Sequence, residues 1–450
     1  MARMKAYRDE RISLFQSAVS EIVEKHEGSQ ILSVGGGPNI PVRATTDDPM
    51  LEAVAGYADS AADPDVTPSA TPETLSIADG AKYCANMALK LGEALGKALI
   101  SKDQTDIDRY KGQLGQFGEC DPRWAEAAAA YANYFVVQGK PIPYVSIKTL
   151  QGNEPVFDTL PANCRIAIVG DWGTGQQTAR NVLSEIKDKQ PVIIIHLGDV
   201  YYAGTQYEFD NFFTGVWSQV FGAAPGKDGS PKLYNLSGNH DMYSGGQAYY
   251  NLLKSIGQPA SFFSVRNADW QLLAMDTGLH DASPVGLGST PTFLDPDEAA
   301  WVCKMVANQG ARKTILFSHH QLFSGYEKIG NSPINQSLQK QLSDILNKTT
   351  MWFWGHEHDL VVFDKYCGIY GRCIGHGAFP VGIDEPAKEL IAGVPVKTSV
   401  QLDKGDTFYR HGFAILDISG ATAQISYYED SAPNNPLYEE SISASGVVMP

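Results

Sequence analysis

Five short blocks of this sequence carry side chains that bind hard cations. In chain order they are Gly170-Asp171-Trp172-Gly173, Gly198-Asp199-Val200-Tyr201-Tyr202, Gly238-Asn239-His240-Asp241, Ser318-His319-His320 and Gly355-His356-Glu357-His358. Carboxylate, carboxamide and imidazole are the donors that first-row metal ions prefer, and there are enough of them here for two adjacent ions. Taken singly, each block has a plainer explanation. An Asp after an apolar run commonly makes a turn or caps a helix. The combination is harder to explain that way. His356 and His358 stand two residues apart, an extended spacing, so a tight turn must deliver both to one place.

The elements that would position these blocks are legible. Apolar runs at 165–169, 192–197, 232–236, 314–317 and 351–354 each lead into one block, and a sixth run, 270–275, leads to Asp276. Helical patterns at 177–187, 297–307 and 335–346 lie between them. Strands alternating with helices predict an α/β core whose central strands are largely parallel. Polar residues just past the C-terminal ends of such strands are where open α/β sheets bind ligands. Residues 412–418 and 422–428 read as two paired strands around a Ser-Gly turn.

Residues 1–155 differ in texture. Ile12, Phe15, Val19, Ile22 and Val23 recur at helical spacing, and 125–137 is Ala-rich, so this part reads as a mainly helical N-terminal region ahead of an α/β domain over 156–450. Residues 61–74 read as a loop, and Gly35-Gly36-Gly37-Pro38 as a plain turn without the Lys-Ser/Thr of a phosphate loop.

The chain has 450 residues, 43% apolar and 19% charged, enough to bury a sizeable interior. Its net charge of −16 repels nucleic acid and anionic lipid, and no run of Lys or Arg offsets this. No segment reaches membrane-spanning length and no apolar stretch follows the charged start, so a cytoplasmic location is expected. The six cysteines show no zinc-ribbon spacing; Cys367 and Cys373 could pair across a hairpin, but free thiols are the expectation.

Over residues 160–430 the five blocks resemble the calcineurin-like metallophosphoesterase superfamily. The resemblance implies a β-sandwich flanked by helices, in α/β/β/α layers, and hydrolysis of phosphoric esters by a metal-bound hydroxide at a binuclear centre. By resemblance Asp199 bridges the two metals, Asp171 and His358 bind the first, and Asn239, His319 and His356 bind the second. His240 would contact phosphate or protonate the leaving group, with Asp241 orienting it through a carboxylate–imidazole bond. His320 would contact substrate or support the ligands from behind.

Two departures narrow the resemblance. The family commonly places a His two residues after the first Asp; here that residue is Gly173, which has no donor. A tyrosine three residues after Asp199 resembles the purple acid phosphatase branch, whose Gly-Asp-x-x-Tyr spacing selects Tyr202 over Tyr201. An added tyrosinate cancels one positive charge and a trivalent ion restores it. The resemblance thus implies Fe(III) at Asp171, Asp199, Tyr202 and His358, and a divalent ion (zinc, manganese or iron) at Asp199, Asn239, His319 and His356. The Asp-Arg-Gly sequence of protein phosphatases in this superfamily is replaced by Tyr202-Ala203-Gly204, which argues against that activity.

The expected substrate is therefore a small phosphoester, with monoesters favoured. A phosphodiesterase acting on nucleotide, lipid or glycerol diesters is the rival within enzymes, and a non-catalytic metal-binding scaffold the rival outside them. His196, inside an apolar run, reads as core, His376 as a loop residue or one that reaches the pocket, and 277–295 as a long surface loop that could border the site.

Overall fold

The computed structural model describes residues 130, 134–135, 138–150, 156–281, 291–383, 389–406, 408–430, 432 and 434–450. The readings made for the N-terminal helices, the 61–74 loop, the Gly35–Pro38 turn and Cys84 and Cys120 lie outside these residues. From Pro141 onward the described residues belong to one compact unit.

Its strands are β1 (Val156–Thr159), β2 (Asn163–Val169), β3 (Ile193–His196), β4 (Lys232–Asn235), β5 (Phe263–Arg266), β6 (Trp270–Ala274) and β7 (Lys313–Phe317). They continue with β8 (Met351–Trp354), β9 (Leu360–Val362), β10 (Tyr370–Ile374), β11 (Gly412–Ser419), β12 (Thr422–Glu429), β13 (Tyr438–Ile442) and β14 (Val448–Met449). They form two seven-stranded sheets, ordered β1-β5-β6-β7-β8-β10-β9 and β14-β13-β12-β11-β2-β3-β4. In the first sheet β6, β7, β8 and β10 run parallel; in the second β2, β3 and β4 do. Five of these parallel strands, β2, β3, β4, β7 and β8, end in the donor blocks.

Alternation along the strands builds the layers. Ile166, Ile168, Ile193 and Ile195 of one sheet share a core with Leu272, Ala274, Ile315, Phe317 and Phe353 of the other. Their neighbours face outward onto helices. Leu273, Leu316, Trp352 and Trp354 pack with Trp301, Val302 and Met305, while Ala167, Val169 and Ile194 pack with Val182, Leu183, Ile186 and Leu253. The described architecture is thus α/β/β/α, as the resemblance implied.

The helix read at 177–187 is α1 (Gln177–Asp188). Next come α2 (Asn239–Tyr243), α3 (Gln247–Ile256) and α4 (Pro296–Ala307); α4 begins with Pro296 at its first turn and is capped by the Asp295 carboxylate. The pattern read as one helix over 335–346 divides into Gln336–Leu342 and a single tight turn, Leu346–Lys348. Ser343 and Asp344 interrupt it, residue types that compete with the helix for backbone hydrogen bonds. Short strands with polar members, such as β5 and β13, carried no period that sequence could show.

Cys164, Cys303, Cys367 and Cys373 are all free thiols. Cys373 lies under the last donor block, its Sγ 3.2 Å from the Glu357 carbonyl and 3.3 Å from that of Asp359. Among the described residues no helix is long and apolar enough to cross a membrane.

Candidate metal centre

Three of the donor residues sit in left-handed backbone conformations: Asp171 (φ 55), Asp199 (φ 75) and His356 (φ 66). For residues other than glycine this costs about 1–3 kcal/mol each and is sustained only where packing enforces it. Each lies two or three residues past a strand end, and the backbone there turns so that side chains from both sheets meet.

One group of donors gathers around Asn239. Its Oδ1 lies 3.1 Å from His319 Nε2 and 3.1 Å from His356 Nδ1, and these two nitrogens are 3.2 Å apart. Asp199 Oδ2 is 3.4 Å from His319 Nε2. His319 Nδ1 is 3.0 Å from the Leu197 carbonyl and donates to it, which places the ring's lone pair on Nε2. Asn239 Nδ2 donates to the Tyr243 hydroxyl at 2.6 Å, which turns the amide oxygen inward. A carboxylate, an amide oxygen and an imidazole lone pair therefore converge on one small volume. Acceptors arranged in this way repel one another unless a cation lies among them. The donor set fits a metal ion on this ground alone.

The electrostatics agree. Burial pulls the His319 imidazole down, but Asp199 and Asp171 outweigh it and leave the group at about 9, so without a metal ion a proton on Nε2 supplies the positive charge that the donors favour. Burial would push the Asp199 carboxyl up, yet His319 and His240 hold it well below the usual carboxylate range. His356 is driven well below its usual value by burial and by His320 and His319, which keeps it in the neutral form that ligates metals.

A second group lies beside the first. The Tyr201 hydroxyl is 2.9 Å from Asp171 Oδ1, to which it donates, and 2.9 Å from His358 Nε2. His358 Nε2 is 3.5 Å from the same carboxylate oxygen. Phe379 stacks on His358 with ring centroids 4.0 Å apart and also touches Tyr201. Asp171, Asp199 and His319 each offer one donor atom within 4.8 Å of the others, so Asp199 stands between the two groups.

The tyrosine that the structure places here is Tyr201, where the family spacing selected Tyr202. Val200 makes an isolated parallel bridge to Gly173, and the Tyr201 N–H donates to the Gly173 carbonyl at 3.0 Å. That bridge lays Tyr201 alongside the first donor block. Tyr202 enters the site through its backbone: its N–H donates to Glu208 and its carbonyl lies 2.7 Å from His240 Nδ1. Gly173 has a structural reason too. A Cβ there would come within 2.8 Å of both Val200 Cα and the Asp199 carbonyl, so the family's His cannot stand at this position without displacing the bridge.

One further expectation is corrected, and of the two positions left open for His320 the structure favours one. Asp241 does not take up His240. As the third residue of the α2 turn, its carboxylate reaches back to the N–H groups of Gly238 (2.7 Å), Asp199 (3.0 Å) and Val200 (2.9 Å). It locks two donor blocks together, while the Tyr202 carbonyl fixes His240 with its lone pair on Nε2. Gly238 admits this closeness, since a Cβ would collide with the Asp199 carboxylate. His320 is held at both nitrogens, by Thr277 Oγ1 (3.1 Å) and Asp281 Oδ2 (3.0 Å), and packs 4.4 Å from the His356 ring. It stands behind the candidate donors, the supporting position of the two left open for it.

His196 is buried in β3 and pairs with Asn235 Oδ1 at 2.6 Å, the core role expected. His376 lies in a loop, as expected, and is buried.

Several supporting residues went unread. Glu208 accepts from the N–H groups of Tyr202, Ala203 and Thr205 and from the Thr205 hydroxyl. Its signal was present as the capping box Thr205-Gln206-Tyr207-Glu208. Tyr243 also left a trace, since it follows Asn239 by four residues on one helix. Asp281 and Phe379 left none.

Residues 164–360 match the model of the family described as Calcineurin-like phosphoesterase. Among solved structures the chain is similar to GAP50, the anchor in the inner membrane complex of Plasmodium (16% identity, 62% of this chain and 87% of that chain, TM-score 0.40). It is also similar to a dimetal phosphatase from Danio rerio (12%, 65% and 100%, 0.41) and to PhoD (10%, 68% and 72%, 0.42). No curated protein matches it. All the strand-end donors from Asp171 to His358 fall within residues 164–360, the segment that is similar to the Calcineurin-like phosphoesterase family.

Proposed function

We propose that the domain hydrolyses phosphomonoesters at a centre of the purple acid phosphatase type, with an Fe(III) site at Asp171, Asp199, Tyr201 and His358 and a divalent site at Asp199, Asn239, His319 and His356. The observation that carries this reading is the Tyr201 phenol, 2.9 Å from both Asp171 Oδ1 and His358 Nε2. Burial, then Asp171 and Asp199, hold that phenol well above its usual value. Ionising it in this setting takes a strongly charged cation, which favours a trivalent ion over a divalent one.

Two bound cations would supply positive charge for the phosphate and lower the pKa of the water that attacks phosphorus. The chain's own residues do the rest. Asp241 and the three N–H groups it holds fix the spacing of the Asp199 and Asn239 blocks. His240, fixed by the Tyr202 carbonyl, presents Nε2 to the phosphoryl or leaving oxygen. His320, held by Thr277 and Asp281, keeps the His319 and His356 rings in place.

The test is protein produced with iron available, analysed for both metals and by absorption after oxidation. A tyrosinate-to-iron band and turnover of a nitrophenyl monoester well above its bis ester are expected. Two equivalents of divalent metal without colour would remove the ferric assignment, and preference for the bis ester would make the domain a phosphodiesterase.

A further inference from the structure

Six strand-end polar residues mark this sequence, and the metal centre uses five of those blocks. The sixth is Asp276, just past β6, fully buried. We propose that Asp276 is a positioning carboxylate for the second metal's donors and leaves those of the first alone. The proposal rests on the two-metal reading above.

Asp276 Oδ1 accepts from the Ser237 hydroxyl and from the Leu279 N–H at 3.0 Å. Ser237 lies two residues before Asn239. The bond tightens the 276–279 turn and presses it onto the Asn239 block, with no space between: a Cβ on Gly278 would be 2.6 Å from the Gly238 carbonyl and 2.8 Å from Ser237 Oγ. On its other side the turn carries Thr277, whose hydroxyl accepts from the His320 N–H at 3.0 Å and pairs with His320 Nδ1 at 3.1 Å. The His320 ring packs 4.8 Å from His319 and 4.4 Å from His356. One short turn thus braces Asn239 from one side and the two imidazoles from the other.

The turn is itself anchored. The Asp276 N–H donates to Glu298 Oε1 at 2.8 Å, and Glu298 Oε2 accepts from the Tyr144 hydroxyl at 3.1 Å. Glu298 sits in the first turn of α4, so the brace is tied to a helix rather than to another loop. The bonds traced from this turn end on Ser237, beside Asn239, and on His320, whose ring packs on His319 and His356; none of them ends beside Asp171 or His358. Supporting hydrogen bonds of this kind commonly carry about 10- to 100-fold in metal affinity.

The experiment is calorimetric titration of the metal-free full chain with Zn(II), comparing wild type, D276A, D276N and, to identify the second equivalent, H356A. D276A is expected to weaken that equivalent by about 10- to 100-fold and leave the other unchanged. D276N keeps an oxygen acceptor for Ser237 and Leu279 and is expected to restore it. D276A that binds both equivalents like wild type, or loses both together, overturns the proposal. If D276A does not fold, S237A and T277V take its place: selective weakening of the same equivalent supports the brace, and unchanged affinity in both overturns it. Wild type that fails to take up two equivalents removes the two-metal reading itself, an outcome distinct from failure of the brace.

Discussion

Asn239 and Tyr243 stand one helical turn apart on α2, and the Asn239 Nδ2 group donates to the Tyr243 hydroxyl at 2.6 Å. A carboxamide can face a site with either end. This bond decides that the oxygen faces His319 and His356. Y243F removes the acceptor and lets the amide turn. Affinity for one metal is expected to fall by about tenfold or more, with activity recovering at high metal concentration. Metal-dependent activity curves check this, and wild-type curves for Y243F would show that the amide is fixed by other means.

The two adjacent tyrosines make opposite predictions. Y201F is expected to lose the tyrosinate-to-iron band, while Y202F keeps it, because the Tyr202 bonds described above run through its backbone. Absorption spectra of the two oxidised variants settle the matter. The reverse pattern would return the ligand role to Tyr202, the residue that family spacing selected.

Glu208 gathers the N–H groups of three residues of the Tyr202–Thr205 loop on one buried carboxylate. E208Q turns an NH2 group toward N–H donors and leaves some of them unmatched. A loss of about 1–3 kcal/mol in unfolding free energy is expected, the usual range for buried groups left without partners. Urea denaturation measures it, and a neutral substitution would mean that the loop is held elsewhere.

Glu185 on α1 gives a pH prediction away from the metal centre. Burial first, and then Asp430, push its carboxyl from 4.5 up to about 7. The folded state therefore binds this proton more tightly than the unfolded chain does. Stability from this group is complete below 4.5 and is lost as pH rises toward 7. E185Q should melt higher than wild type at about pH 8 and nearly with it at about pH 4, since the penalty is absent there. Melting curves at the two pH values decide it; parallel curves would mean that Glu185 ionises without cost.

The sequence by itself determined which donors exist and where they stand along the chain. Asp171, Asp199, Asn239, His319, His356 and His358 each follow a short apolar run, and strand geometry ties such positions to sheet ends. It also determined the α/β class, because short apolar runs and helical spacing are local properties; the α/β/β/α layering was implied by the family resemblance. Only the tertiary structure decided which tyrosine meets Asp171, which group holds His240 and what Asp241 grips. Those outcomes depend on contacts between residues far apart in sequence: the Gly173–Val200 bridge, the reach of Asp241 back to Asp199, and the Thr277–His320 bond. Spacing along a chain says when side chains share a face, but it does not say which neighbouring segment that face will meet.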